Sequence, residues 1–483
     1  MQSGEWHSCS RSPGPGPHVL AVLVLMLGLL AFAPNRAAAQ GFGVFEQGTC
    51  VMGRAGATVA ETCDDGSSMY FNPAGLVGDP GWTVSGGATL IFVGGDFTSD
   101  RTRETTDIEN DPIPVPHLYA RYGINERWAA GVGVFVPYGL GTEWPDTGWD
   151  GRFLGYSNHL QSIYVQPTLA YQLTDRISVG AGLDIVIGAV ELNQHQDLSQ
   201  QTVPSDQLPP GTTFGALGIP FHTAFADVKL DAGGATGIGG NFGVQVQATD
   251  WLRLGARYTL PVTLNYEGEA IFTQLQTGLT LPPNNPLGLP GGTPVDALVA
   301  PQFESGGLLV DQDVETEITM PGQLLAGVSV QATPKLKLMA DYQWTQWSSF
   351  DVLPIDFEND ALDTEQIENY NNTHALRLGA EYEINDAWTA RAGLLTHGPA
   401  APDETVTPLL PEGYRNEPTL GFGWRPSELF EVNVAYQYIA QNDRRGRVRD
   451  ALAGEGDPSA ETLNSGLYSF NAHLIGTTLT LHF

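Results

Sequence analysis

Few residues in this chain are suited to covalent chemistry. It has three cysteines: Cys9 precedes an apolar run, while Cys50 and Cys63 follow it, thirteen positions apart. In an oxidising compartment two such thiols read as one disulfide, and two cysteines alone do not make a metal site. There is no Gly-x-Ser-x-Gly element and no nucleophile with an evident base and orienting acid, so hydrolysis is not expected. The acidic run Asp356 to Asn369 has the composition to attract divalent cations, but it reads better as a solvated loop. No enzyme activity, cofactor or metal is therefore expected. The net charge of −32 argues against nucleic acid as a partner.

The remaining charges alternate with apolar residues. Leu252, Leu254, Ala256, Tyr258 and Leu260 oppose Arg253, Gly255, Arg257 and Thr259, and Leu376, Leu378, Ala380 and Tyr382 oppose Arg377, Gly379 and Glu381. An extended chain places such sets on opposite faces, here lipid on one side and a polar interior on the other. Arg253, Arg257, Arg377, Glu381, Arg391, Lys335, Lys337 and Asp341 are thus expected inside, either as an ion-paired filling or as substrate contacts. Glycines recur two apart, at Gly131 and Gly133, Gly180 and Gly182, Gly237 and Gly239, and Gly421 and Gly423. On one face of a strand such pairs leave room for an internal plug.

The elements that position these residues repeat along the chain. About fourteen extended segments can be read between 82–93 and 468–483. Short turns such as Asn125-Glu126, Thr174-Asp175 and Asn385-Asp386 alternate with long connections rich in Pro, Gly, Asp and Asn. That alternation predicts an all-β fold, a transmembrane antiparallel β-barrel of about 14 strands in a bacterial outer membrane. The last segment agrees, with Ile475, Thr477, Leu479, Leu481 and Phe483 on one face and Thr478, Thr480 and His482 on the other. At the other end, Val19 to Ala33 is apolar and Ala37-Ala38-Ala39 precedes Gln40, the pattern of a cleaved signal peptide. The expected organisation is a signal at 1–39, an N-terminal hatch at 40–81 and a barrel at 82–483.

The segment from Gly41 to Gly78 carries a resemblance. Gly41-Phe42, Gly53-Arg54-Ala55, Asp64-Asp65 and Asn72-Pro73-Ala74 resemble the amino-terminal hatch of the outer-membrane long-chain fatty acid transporter family, as do Val136 to Phe153, Met320-Pro321-Gly322, Trp344 to Phe350 and Asn385 to Gly393 further on. The resemblance implies a monomeric plugged barrel, set in outer-membrane lipid and lipopolysaccharide, through which hydrophobic small molecules diffuse. It places Gly41 and Phe42 in a mobile amino terminus and Asn72, Pro73 and Ala74 at the contact between hatch and wall. Pro137, Tyr138 and Gly139 fall at the end of the third strand, where a kink would open the wall sideways; Pro137 lacks an amide hydrogen and Gly139 a side chain, which weakens pairing there.

Fatty acids are the leading substrate class, and aromatic hydrocarbons or a surface-binding role are the alternatives. Where members of that family place basic side chains for a carboxylate, this chain offers His195, His374 and Arg377. A buried carboxylate without a cation is costly, which raises the hydrocarbon alternative. In the long loops, the apolar stretches 214–219 and 279–289 would form either an outer capture groove or a coil packed on itself.

Overall fold

The computed structural model describes residues 41–203, 208–448 and 464–483; the expected signal segment lies outside the described residues. One antiparallel sheet closes on itself as a fourteen-stranded barrel. Its strands are β1 Gly81–Ser99, β2 Ile113–Gly123, β3 Trp128–Glu143, β4 Ser157–Thr174, β5 Ile177–Asp197 and β6 Ala224–Thr249. There follow β7, Leu252–Thr259 continued by Val262–Gln274, and β8, Gln312–Met320 continued by Gln323–Thr333. The last are β9 Leu336–Thr345, β10 Thr373–Asn385, β11 Trp388–His397, β12 Arg415–Ser427, β13 Phe430–Gln441 and β14 Asn464–His482. β7 and β8 break at Pro261 and Pro321, where the missing amide hydrogen interrupts the ladder. Closure is the pairing of β1 with β14, from Thr83 opposite His482 to Ser99 opposite Gly466.

The period-two pattern has the faces expected. Leu118, Leu183, Ile238, Leu420, Phe422, Ile475 and Leu479 are exposed on the outer surface, where lipid meets them, while Thr478 and Thr480 point inward and are buried. Aromatic pairs Trp82 with Tyr122, Trp128 with Tyr171 and Trp388 with Trp424 stand beside the short turns and form the girdle of that membrane interface.

Residues 41–78 sit inside the barrel, where most of them are buried. They contain only two short helices, α1 Thr49–Met52 and α2 Ser68–Phe71, and a single 3-10 turn Pro73–Leu76. A segment with so little regular structure must take its order from the wall. The wall supplies it in two ways. Inward glycines let the backbones touch: a methyl group on Gly180 would collide with Pro73, one on Gly243 with Asn72 and one on Gly255 with the Val59 carbonyl. Inward charges then bond the segment's peptide groups. Asp341 accepts from the amides of Thr58 and Val59 at 2.6 and 2.8 Å, and Glu381, Arg391, Lys337, Glu61, Arg253 and Arg54 make one ion-pair network across the interface. The inward charges are therefore a filling that grips the hatch. Lys335 is the exception: it lies at a turn and bonds the Ile384 carbonyl.

Above the barrel, the connections 198–223 and 275–311 pack on each other. Phe214, Ile219 and Leu281 are buried with Leu198, Val295 and Val299 in a core of their own, so these apolar stretches form no open groove.

Substituting Gly255→Ala should displace the hatch loop at Val59 while the barrel stays intact. Heat-modifiable mobility is expected to match wild type and amide exchange across 58–61 to rise. Gly233→Ala, where the added methyl would approach only Ala189 at 4.0 Å, serves as the neutral control.

Candidate functional site

The wall has one weak seam. β2 and β3 pair only from Leu118 opposite Val134 to Gly123 opposite Ala129, although β2 begins at Ile113 and β3 continues to Glu143. Pro114 and Pro116 remove two donors from the upper half of β2, and Pro137 removes one from β3. The third strand thus does not end at Pro137-Tyr138-Gly139. Its pairing with β4 shifts register between Phe135 and Tyr138 and then resumes to Glu143, so those residues form a bulge inside a longer strand.

The peptide groups left open at the bulge are taken up from inside. Val44 N donates to Pro137 O at 2.8 Å, Gly139 N donates to Phe42 O at 3.0 Å, and Gly43 stands opposite Tyr138 as an antiparallel bridge. Gln47, fully buried, donates through Nε2 to Val136 O at 2.6 Å and accepts from Val136 N at 3.1 Å. Its own carbonyl accepts from the Tyr119 hydroxyl. Residues 42–47 therefore stand in for a missing strand. Above them the seam closes again where Asn110 bonds Gly141 and Glu143.

Phe42 sits between two cavities. Its ring packs edge-on against Trp347 and Phe350, at 4.7 and 5.5 Å between centroids. The inner cavity, about 120 Å³, is lined by Phe42, Phe45, Ile113 and Gly139 to Thr142 at the seam, and reaches Arg415, His397 and Glu417. His397 and Glu417 pair at 2.7 Å. Arg415 makes no carboxylate pair among the described residues; its Nε donates to the Gln441 amide oxygen and its guanidinium lies 5.5 Å from the Phe470 ring centre. Burial, with Glu417 nearby, pushes Glu46 up to about 7. The outer cavity, about 100 Å³, shares Phe42, Leu140 and Leu410 with the inner one and extends past Phe350 and Leu353 to Glu368 and Gln366. Below the hatch the character changes. A vestibule of about 370 Å³ there is lined by Arg54, Glu61, Lys337, Glu381 and Arg391 and by both hatch cysteines.

The residues singled out in the sequence fall in different places. Gly41 and Phe42 line the inner cavity, together with Gly139. Asn72 bonds the wall, donating through Nδ2 to Val244 O at 3.2 Å and to Val59 O within the hatch, while its Oδ1 caps Ala74 N and Pro73 opens the 3-10 turn. Cys50 and Cys63 are joined by a disulfide beside the vestibule. The three basic residues do not reach either cavity. His195 lies at the outer end of β5 beside Tyr156 and Asp227, His374 faces outward against Tyr342, and Arg377 is buried under Phe45, bonded to Gln343. Arg415 lines the inner cavity and Glu368 the outer one, while Gln47 bonds the bulge; sequence reasoning singled out none of the three. Besides Pro137, the prolines at 114 and 116 are a further sequence signal for the seam.

The same plan is found in known proteins. The family described as outer membrane protein transport protein (OMPP1/FadL/TodX) matches residues 30–483. This chain belongs to that family. It is an outer-membrane protein. Outer membrane protein P1 of Haemophilus influenzae is 25% identical over 486 residues, covering 95% of this chain and 98% of that protein. A long-chain fatty acid transport protein of Escherichia coli O6:H1 is 24% identical over 419 residues, 85% of this chain and 89% of its own. Among solved structures, a Pseudomonas aeruginosa FadL homologue covers 92% of this chain and 100% of its own, with a TM-score of 0.74 at 20% identity. The Ralstonia pickettii toluene transporter TbuX covers 91% and 100%, with a TM-score of 0.62 at 23% identity. These two structural likenesses establish the fold alone.

Replacing Asn72 by Ala removes the donor to the wall from a fully buried position. The hatch should lose about 1–3 kcal/mol of local stability, read as faster amide exchange over 59–76, with the barrel's heat-modifiable mobility unchanged.

Proposed function

We propose that this protein passes hydrophobic molecules from the cell exterior into the outer membrane by way of the β2–β3 seam, with residues 41–47 as the movable seal and residues 40–81 acting as one hatch. The observation that carries the reading is the backbone bonding of Phe42 and Val44 to Gly139 and Pro137. A seal held by two main-chain bonds and by the contacts of Phe45, Glu46 and Gln47 with the wall can be withdrawn and replaced without unfolding a strand. The alternative path along the barrel axis runs into the charged vestibule, where an apolar solute would displace water from Arg54, Glu61, Lys337 and Glu381 and gain nothing in return. The sideways path meets Ile113, Leu140 and then lipid.

Long-chain fatty acids are the class the inner cavity suits best. It offers apolar walls from Ile91, Val93, Ile439, Phe470 and Leu474 and the Arg415 guanidinium, which makes no direct carboxylate pair among the described residues, for the head group. Aromatic hydrocarbons are the second reading, favoured by the edge-on rings of Phe42, Trp347, Phe350 and Tyr370, which could receive another ring without any charge.

Two measurements test this. A Gly43→Cys, Tyr138→Cys pair places thiols on facing bridge residues, so oxidation should pin the seal and reduce uptake in whole cells to the empty-vector rate, with reductant restoring it and either single variant unaffected. Full uptake by material shown to be crosslinked would contradict the sideways route. Arg415→Gln should weaken hexadecanoate binding about tenfold and leave toluene unchanged; equal loss of both would remove the head-group role.

A further inference from the structure

The outer cavity reads a different head group from the inner one. Five ionisable or amide side chains besides Glu368 line it, Asn158, His159, Glu191, Gln366 and Tyr370, and the first three are already committed. Asn158 accepts from Thr142 N and donates to Leu409 O, Glu191 pairs with Lys229 at 3.1 Å, and His159 is turned to Glu143 on the exterior. Gln366 lies beside Glu368 and hydrogen-bonds it. Glu368 itself is only 7% exposed and makes no ion pair among the described residues. It faces the cavity from the connection between β9 and β10, among Phe42, Phe350, Leu353 and Leu410. A carboxyl in such surroundings is held as the neutral acid: burial pushes Glu368 up to about 8, Glu412 adds to this and Arg447 opposes it. In that form it presents one hydroxyl donor and one carbonyl acceptor to an otherwise apolar chamber.

We propose that the outer cavity is a second binding site selective for uncharged long-chain amphiphiles, such as alcohols and esters, whose hydroxyl or carbonyl head is hydrogen-bonded by Glu368 with Gln366. This rests on the reading that apolar chains enter the barrel, and it extends the cargo beyond anions. A carboxylate is disfavoured here, because Glu412 lies close by and the described lining of the cavity holds no lysine or arginine to offset the charge. The two cavities meet at Phe42, so charged and uncharged heads are read on opposite sides of one ring.

The test is equilibrium binding of labelled 1-hexadecanol, hexadecanoate and hexadecane to the full-length protein in mild detergent. Wild type should bind the alcohol about tenfold more tightly than Glu368→Leu, while hexadecane binding stays the same or strengthens. Glu368→Gln retains a donor and an acceptor and should keep the alcohol. The pH dependence adds a readout that folding alone would not produce. The groups facing Glu368 are Glu412, Tyr370 and Arg447; burial holds the Tyr370 phenol well above its usual range, so it stays neutral. Raising the pH from 7 to 9.5 ionises Glu368, removes its donated hydrogen and should weaken alcohol binding in wild type several-fold, with no change in Glu368→Gln. Alcohol binding that is equal in wild type and a folded Glu368→Leu variant overturns the proposal, as does loss of the alcohol on Arg415→Gln. If hexadecane binds and hexadecanol does not, the proposal alone fails; if none of the three binds, the uptake reading fails with it.

Discussion

A strand wall in lipid has no water to satisfy its peptide groups, so every donor and acceptor at membrane depth must find a partner within the protein. That constraint organises this barrel. Most strand junctions meet it through ladders along the length of the strands, with local bulges or proline breaks. The junction between β2 and β3 cannot, because prolines at 114, 116 and 137 have removed donors where the two strands would continue. The shortfall is met by Val44, Phe42 and Gln47 from within. The position of residues 42–47 and the cavities around Phe42 follow from that substitution.

The interior shows the complementary solution for charge. Arg377 stacks under Phe45 and bonds Gln343, Arg257 lies 4.5 Å from the Tyr70 ring, and Asp341 is capped by two hatch amides. Each of these three charges meets a group of the hatch, which offsets part of the cost of burial. Most of these contacts lie beyond residue 47, so the hatch from Arg54 onward is anchored independently of residues 42–47, which join this set only through Phe45.

Most of the architecture was legible because alternation is a local property. The strands, their outward faces, the short turns and the glycines at 180 and 421 that touch the hatch could all be found by parity. His374 was misjudged against that same parity: the alternation that turns Leu376 and Leu378 outward turns His374 outward too. The seam was harder to read. A proline in a strand looks like an end when considered alone, and whether it is an end or a bulge depends on what pairs beyond it, here a segment some ninety residues earlier. Arg415 was missed because its cavity is assembled from β1, β3, β12, β13, β14 and the hatch, and no window of sequence contains that set.

The cavities above the hatch and the vestibule below it share no lining residue among those described. Between them lie Val51, Met52, Met69 and Phe71, all essentially without solvent contact. This layer is a dielectric partition. An ion entering from either side would have to give up its hydration to cross, a cost that can reach tens of kcal/mol in a dry medium, whereas an alkyl chain turned toward the seam never approaches the partition. On the proposed route, copies of this barrel would admit oils without adding an ion leak to the membrane that holds them.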